Sequence, residues 1–157
     1  MNRQHRSLVI INPTSARARR AWPQVKAALT ENNLNFDAHE TTHAGDATAR
    51  TRAALLDGYD TIAVVGGDGT LSETASGFFE FSEGEAQDIF SPPAPVNPSA
   101  ALAVLPAGTG DDFARGLAGG RRRPLEEWLD LFISHARGNE KSTARAIDVI
   151  HGRVSRG

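Results

Sequence analysis

The feature that most restricts how this chain can fold is Thr61-Ile62-Ala63-Val64-Val65 running directly into Gly66-Gly67-Asp68-Gly69-Thr70. A short continuous apolar run suits a strand buried on both faces, as in a parallel sheet. Thr70 to Phe79 then has helical character, so strand, glycine turn and helix follow one another without a linker. The arrangement recurs. Ser7 to Ile11 is a short apolar run ending in Asn12-Pro13-Thr14-Ser15, and Ala101 to Leu105 ends in Pro106-Ala107-Gly108-Thr109-Gly110. Strands that alternate with helices predict an open α/β sheet, mostly parallel, in three layers. Ligands of such sheets sit beyond the carboxyl ends of the strands, so all three turns are expected on one rim.

The remaining elements fill in between. Residues 18–32 carry Ala21, Trp22, Val25, Ala28 and Leu29 at helical spacing, with Pro23 expected near the helix start and Asn32-Asn33 at its end. Leu34 to Ala38 alternates like a strand. Asp46 to Leu56 reads as an alanine-rich helix stopped by Gly58. Residues 80–99 form a polar, proline-rich excursion expected to be a surface loop. Asp111 or Asp112 is placed to cap a helix through Leu117, and Pro124 opens a helix to Ile133. Ala146 to Ile150 reads as a strand, followed by a turn at His151 to Val154. Residues 1–144 are expected to form one α/β domain, and 145–157 to start another.

Charge and composition narrow the function. A net charge of −2 offers no bulk positive field for nucleic acid or membrane. Two basic groups stand out, Arg17, Arg19 and Arg20, and then Arg121, Arg122 and Arg123. Each is read as a solvated turn, with phosphate or an anionic surface as the alternative. Without cysteine there is no disulfide and no thiolate zinc site, which fits a reducing cytosol. The run from Ser7 to Ile11 is too short to be a signal peptide core or a membrane span.

The glycine turn is the main candidate site. Gly66, Gly67 and Gly69 are expected to adopt backbone conformations closed to other residues and to let main-chain N–H groups approach an anion. The following helix points its positive end at that anion. Asp68 would repel phosphate, so its expected use is to hold Mg²⁺ on phosphate oxygens, directly or through water, or to accept a ligand hydrogen bond. Thr70 offers a hydroxyl, and Glu73 lies one turn on, within reach of the same loop. The bland alternative makes Thr70 a helix cap and Glu73 its capping-box partner. Asn12, Thr14 and Ser15 can hydrogen-bond phosphate or ribose, Thr109 in its glycine turn suits adenine or ribose, and Thr41 is a further candidate. G-x-G-x-x-G is absent and no G-K-[ST] follows, which excludes the dinucleotide and P-loop fingerprints. The five histidines show no metal-ligand spacing.

Asn12-Pro13-Thr14-Ser15, then Gly66-Gly67-Asp68-Gly69-Thr70-Leu71-Ser72-Glu73, then Leu105-Pro106-Ala107-Gly108-Thr109-Gly110-Asp111-Asp112-Phe113-Ala114-Arg115 occur in this order. Together they resemble the diacylglycerol kinase catalytic domain family, which includes sphingosine kinases and bacterial lipid kinases. The resemblance covers roughly residues 7–154. It implies a phosphofructokinase/NAD kinase-like fold, and an enzyme moving the γ-phosphate of ATP to a lipid hydroxyl with Mg²⁺. It also implies nucleotide contacts at Asn12, Pro13, Thr14, Ser15, Thr41, Gly66 to Glu73 (Leu71 and Ser72 included), Gly108 and Thr109. Asp68 would position Mg·ATP. A second, β-rich domain would supply the lipid cleft, the acid that activates the acceptor and metal-binding residues. The implied setting is the cytoplasm, with peripheral contact at the inner membrane face, and an open sheet edge at 146–154 could support a homodimer.

The chain departs from the family pattern at Ala16, where glycine is usual, and at Ser72 and Asp111, where asparagine is common. The excursion at 80–99 is longer than usual, and only the first strand of the second domain is expected here. The glycine–aspartate turn is shared with NAD kinases and phosphofructokinases. A related NAD or sugar kinase and a non-catalytic ATP-binding fragment are therefore the alternatives.

Overall fold

The computed structural model describes residues 5–80, 92–138 and 143–149. Its core is a four-stranded parallel sheet of β1 (Ser7–Ile11), β2 (Phe36–Glu40), β3 (Thr61–Gly66) and β6 (Ala101–Pro106). Their order across the sheet is β2-β1-β3-β6. Every residue of β1 and β3 is buried, which explains their unbroken apolar runs.

Alternation along the strands separates two faces. Val9 and Ile11 of β1 and Ala63 and Val65 of β3 pack with α1 (Ala16–Glu31) and α5 (Leu125–Ala136). Leu8, Ile10 and Ile62 turn the other way, onto Ala47, Ala54 and Leu55 of α2 (Asp46–Leu56). The helix α3 (Asp68–Ser76) packs beside α2. Gly77 allows that approach, because a Cβ there would lie 2.6 Å from both the Thr48 carbonyl oxygen and the Thr51 Cβ. The result is the expected three-layer α/β fold. Burying one of these aliphatic side chains contributes about 1.5–3 kcal/mol.

Several local expectations are corrected. Pro23 lies well inside α1 instead of near its start. It is exposed, so the carbonyl that loses its N–H partner faces the solvent side of the helix. The second strand is shifted two residues along, because Leu34 packs into the core before the strand begins. The third helix starts at Asp68 and ends at Ser76, and Phe79 belongs to a strand. That strand, β4 (Phe79–Glu80), pairs antiparallel with β5 (Ala94–Pro95), so the long excursion stands on a two-stranded base. Residues 81–91 lie outside the described residues.

Residues 144–149 carry no regular secondary structure, against the strand expected from Ala146. Ile147 and Val149 are exposed there. Alternating apolar residues make a strand only where a partner strand supplies the ladder, and none pairs with them among the described residues. Ile150 and the turn at 151–154 lie outside the described residues.

Candidate functional site

Strand register sets the rim. Ile11 aligns with Glu40 and Val65, and Gly66 aligns with Pro106. The turns beginning at Asn12, Thr41, Gly67 and Ala107 therefore leave the sheet at one level. Backbone hydrogen bonds carry the pairing into them, from Thr41 N–H to Ile11 (2.9 Å) and from Ala107 N–H to Gly66 (2.9 Å).

The first turn is closed by its own side chains. Asn12 Oδ1 accepts from the Thr14 N–H (3.0 Å) and hydroxyl (2.7 Å). Its amide donates to Thr70 Oγ1 at 3.3 Å, tying the first turn to the glycine turn. Ser15 caps α1 by accepting from the Ala18 N–H, and its hydroxyl donates to the Ala107 carbonyl at 3.3 Å. The Pro13 carbonyl accepts from Arg19.

The glycines act through space, not through backbone angles. None of Gly66, Gly67 and Gly69 has a positive φ, which corrects the conformational expectation. A Cβ on Gly67 would lie 3.1 Å from the Cα of Gly108, and one on Gly66 would lie 3.1 Å from the Thr70 side chain. A Cβ on Gly69 would meet nothing within 4 Å, so the mouth of the turn is open there. The first N–H groups of α3 lack intrahelical acceptors and emerge beside this opening.

Asp68 has a role that the sequence reading did not foresee. Its two carboxylate oxygens accept the N–H groups of Asp112 (2.8 Å) and Phe113 (3.2 Å). It thereby caps α4 (Asp112–Leu117), the function expected of Asp111 or Asp112. Asp111 adopts the left-handed conformation at φ 52, and its buried carboxylate accepts the Gly108 N–H at 2.9 Å. An Asp or Asn tolerates that conformation better than most residues.

Glu73 reaches across to the turn after β2 instead of back to the glycine turn. Its carboxylate accepts the Gly45 N–H at 3.0 Å, and its carbonyl accepts from Thr48 (2.7 Å). The capping box is absent, since Gly67 is the N-cap of α3 and no side chain bonds there. Beside Thr41, Asp46 accepts from the Thr42 N–H at 2.8 Å and contacts His39 at 3.1 Å. The Thr42 N–H, foremost, holds the Asp46 carboxyl below its ordinary range despite the opposing effect of burial, and His39 adds to the lowering. Thr41 and Glu73 thus border one stretch of rim, and Thr109 borders another.

Two arginines missed as site residues secure that second stretch. Arg17 donates to the Gly108 carbonyl at 2.8 Å, and Arg122 donates to the carbonyls of Thr109 (2.7 Å) and Gly110 (3.1 Å). Their clustering in sequence was visible, but their convergence on one turn was not.

For Mg²⁺, no group of three or more His, Cys, Asp or Glu side chains comes together among the described residues. Such an ion usually keeps several waters and takes only one or two carboxylates alongside substrate phosphates. Asp68 fits that limited role, because each of its oxygens retains a lone pair after accepting one N–H.

A parallel sheet with interlocked glycine turns at its carboxyl rim is the architecture of the phosphofructokinase/NAD kinase-like α/β class. A solved diacylglycerol kinase from Bacillus anthracis str. Sterne has this fold, with a TM-score of 0.61 and 23% identity, covering 83% of this chain and 44% of that one. The diacylglycerol kinase catalytic domain family matches residues 6–149, and the chain belongs to that family. A diacylglycerol kinase of Bacillus subtilis (strain 168) is 35% identical over 146 residues, 92% of this chain and 41% of that protein. One from Staphylococcus carnosus (strain TM300) is 34% identical over 114 residues, 71% of this chain and 32% of that protein. The chain thus spans 32% to 41% of the length of these relatives.

Proposed function

We propose that this chain is the ATP-binding part of a lipid kinase that transfers the γ-phosphate of Mg·ATP to a lipid hydroxyl, such as that of diacylglycerol or a sphingoid base. The observation that carries the reading is the interlocked rim, where Asn12 bonds Thr70 and Gly67 meets Gly108. The names of the relatives support the lipid branch over NAD or sugar acceptors.

Phosphoryl transfer depends chiefly on positioning and electrostatic stabilisation. The opening at Gly69 and the N–H groups of α3 suit the phosphates. Asn12 to Ser15, Gly66 to Glu73, Gly108 and Thr109 would border the nucleotide, and Thr41 would take its far end. Bound Mg²⁺ would neutralise charge on the phosphate oxygens, with Asp68 orienting its water shell. The acceptor cleft and the acidic residue whose carboxylate would accept the hydroxyl proton belong, in this reading, to a second β-rich domain that begins at about residue 145. The enzyme would work in the cytoplasm and meet its substrate peripherally at the inner membrane face. No helix among the described residues is long and apolar enough to cross a membrane. The outer edges of β2 and β6 are unpaired among the described residues and offer a route to a homodimer.

The test is transfer of label from γ-labelled ATP to diacylglycerol, a sphingoid base, NAD and a sugar phosphate, with the acceptor domain supplied. Label on a lipid is the expected result. Label on NAD or the sugar phosphate, or tight ATP binding without transfer, would overturn it.

A further inference from the structure

The two arginine groups flagged in the sequence meet in space. An open surface cavity of about 220 Å³ is lined by Arg17 from α1, Arg115 from α4, and Arg121, Arg122 and Arg123 from the segment before α5, all five exposed, together with Gly108 and Trp128. These are five of the 17 lysines and arginines in a chain of net charge −2. The cavity adjoins the end of β6 at one edge of the sheet, whereas Thr41 and Gly45 follow β2 at the opposite edge.

Gathering like charges is unfavourable unless something offsets them. Two of the five have acidic neighbours: Arg115 lies 3.3 Å from Asp112, and Arg123 lies 3.8 Å from Glu127. Arg17 and Arg122 are held by neutral carbonyls of the Gly108–Gly110 turn, which fixes their guanidinium groups without cancelling their charge. Arg121 makes no ion pair or hydrogen bond among the described residues. Three cations therefore stand against one further carboxylate in the lining, that of Asp111, which already accepts the Gly108 N–H. The excess matches a dianion. Guanidinium forks suit phosphate oxygens, two of them are already oriented, and the volume suits a small head group better than a whole nucleotide.

We propose that this cavity, which shares only Gly108 with the proposed nucleotide site, binds a phosphomonoester dianion of its own through Arg17, Arg121 and Arg122. The same chemistry is offered by a free phosphate and by the head group of a phosphomonoester lipid.

Trp22 and Trp128 are the two tryptophans, so Trp22→Phe leaves Trp128 as the reporter in the cavity wall. Inorganic phosphate titrated at constant ionic strength should give a saturable change in Trp128 fluorescence. Arg121→Gln should weaken it about tenfold, and Arg121→Lys should weaken it less. Arg121 bonds to no other group among the described residues, so its replacement leaves the turn intact. Flotation with phosphatidylcholine vesicles, with and without phosphatidate, separates the sources. Arg121-dependent flotation on phosphatidate assigns the lipid head group, and phosphate binding without flotation assigns a soluble ligand. The proposal is overturned if phosphate gives no saturable response, if Arg121→Gln responds like the parent, or if Arg121→Gln weakens Mg·ATP binding measured by calorimetry. Because ATP is measured separately, loss of ATP binding with phosphate binding intact would count against the nucleotide site alone.

Discussion

A Cβ added to Gly108 would lie 2.5 Å from the Cα of Gly67, so the turns after β3 and β6 touch backbone to backbone. Neither side can yield by rotating a side chain. Gly108→Ala should cost about 1–3 kcal/mol, as overpacking does. Gly69→Ala should leave stability unchanged or slightly raised, because its surroundings are open, its φ is not positive, and alanine favours the helix. Thermal melts of the two variants test the difference, and equal midpoints would show that the turns are not in contact.

Asp68 joins two helices by standing first in α3 and capping α4. Asp68→Ala should therefore lose about 1 kcal/mol of stability even without nucleotide. Asp68→Asn should lose less, since one amide oxygen can still accept. Denaturant unfolding of the free protein reads this directly. A stability equal to wild type would mean that the carboxylate is not engaged by the Asp112 and Phe113 N–H groups.

Tyr59 sits at the other end of the sheet, buried, with its hydroxyl donating to Asp37 and the Arg6 guanidinium 3.9 Å from its ring centroid. Burial first, and then the bond to Asp37, raises its pKa. The neutral phenol is favoured in the folded state. Its stabilising effect is complete below the unfolded value of about 10 and is lost as pH rises through the higher folded one. As the only tyrosine in the chain, it can be followed alone by phenolate absorbance. The folded titration should lie above that of the unfolded chain, and Asp37→Asn should bring it down. Coincident folded and unfolded curves would contradict the network.

The bond from Gly45 N–H to Glu73 holds the turn after β2 against α3. Glu73→Ala should speed hydrogen exchange at the Gly45 amide, while Glu73→Gln should largely preserve its protection. Unchanged exchange in Glu73→Ala would show that Glu73 does not order this turn.

The β3–turn–α3 unit was legible because a strand buried on both faces writes itself as an unbroken apolar run, and a glycine turn interrupts it visibly. Pro23 was misplaced because the pattern of apolar residues does not reveal that a proline occupies the solvent face, where a missing hydrogen bond is tolerated. The strand expected at Ala146 was overread because alternation says nothing about whether a partner strand lies alongside. In the site, the identities of Asn12, Gly67 and Thr109 stood out, but their connections did not. Asp68 and Asp112 are 44 positions apart, and Arg17 and Gly108 are 91 apart. Contacts at such separations follow from strand order, which local periodicity does not encode.

The central claim is that the rim around Gly69 receives the phosphates of ATP. Calorimetric titration of Mg·ATP into the wild-type chain and into Gly69→Asp tests it most directly. The open space at Gly69 accommodates the new side chain, while its charge would stand in the mouth of the turn. The account predicts saturable binding by the wild type and its loss in a Gly69→Asp protein with unaltered thermal stability. No binding by the wild type, or equal affinity in both, would contradict it.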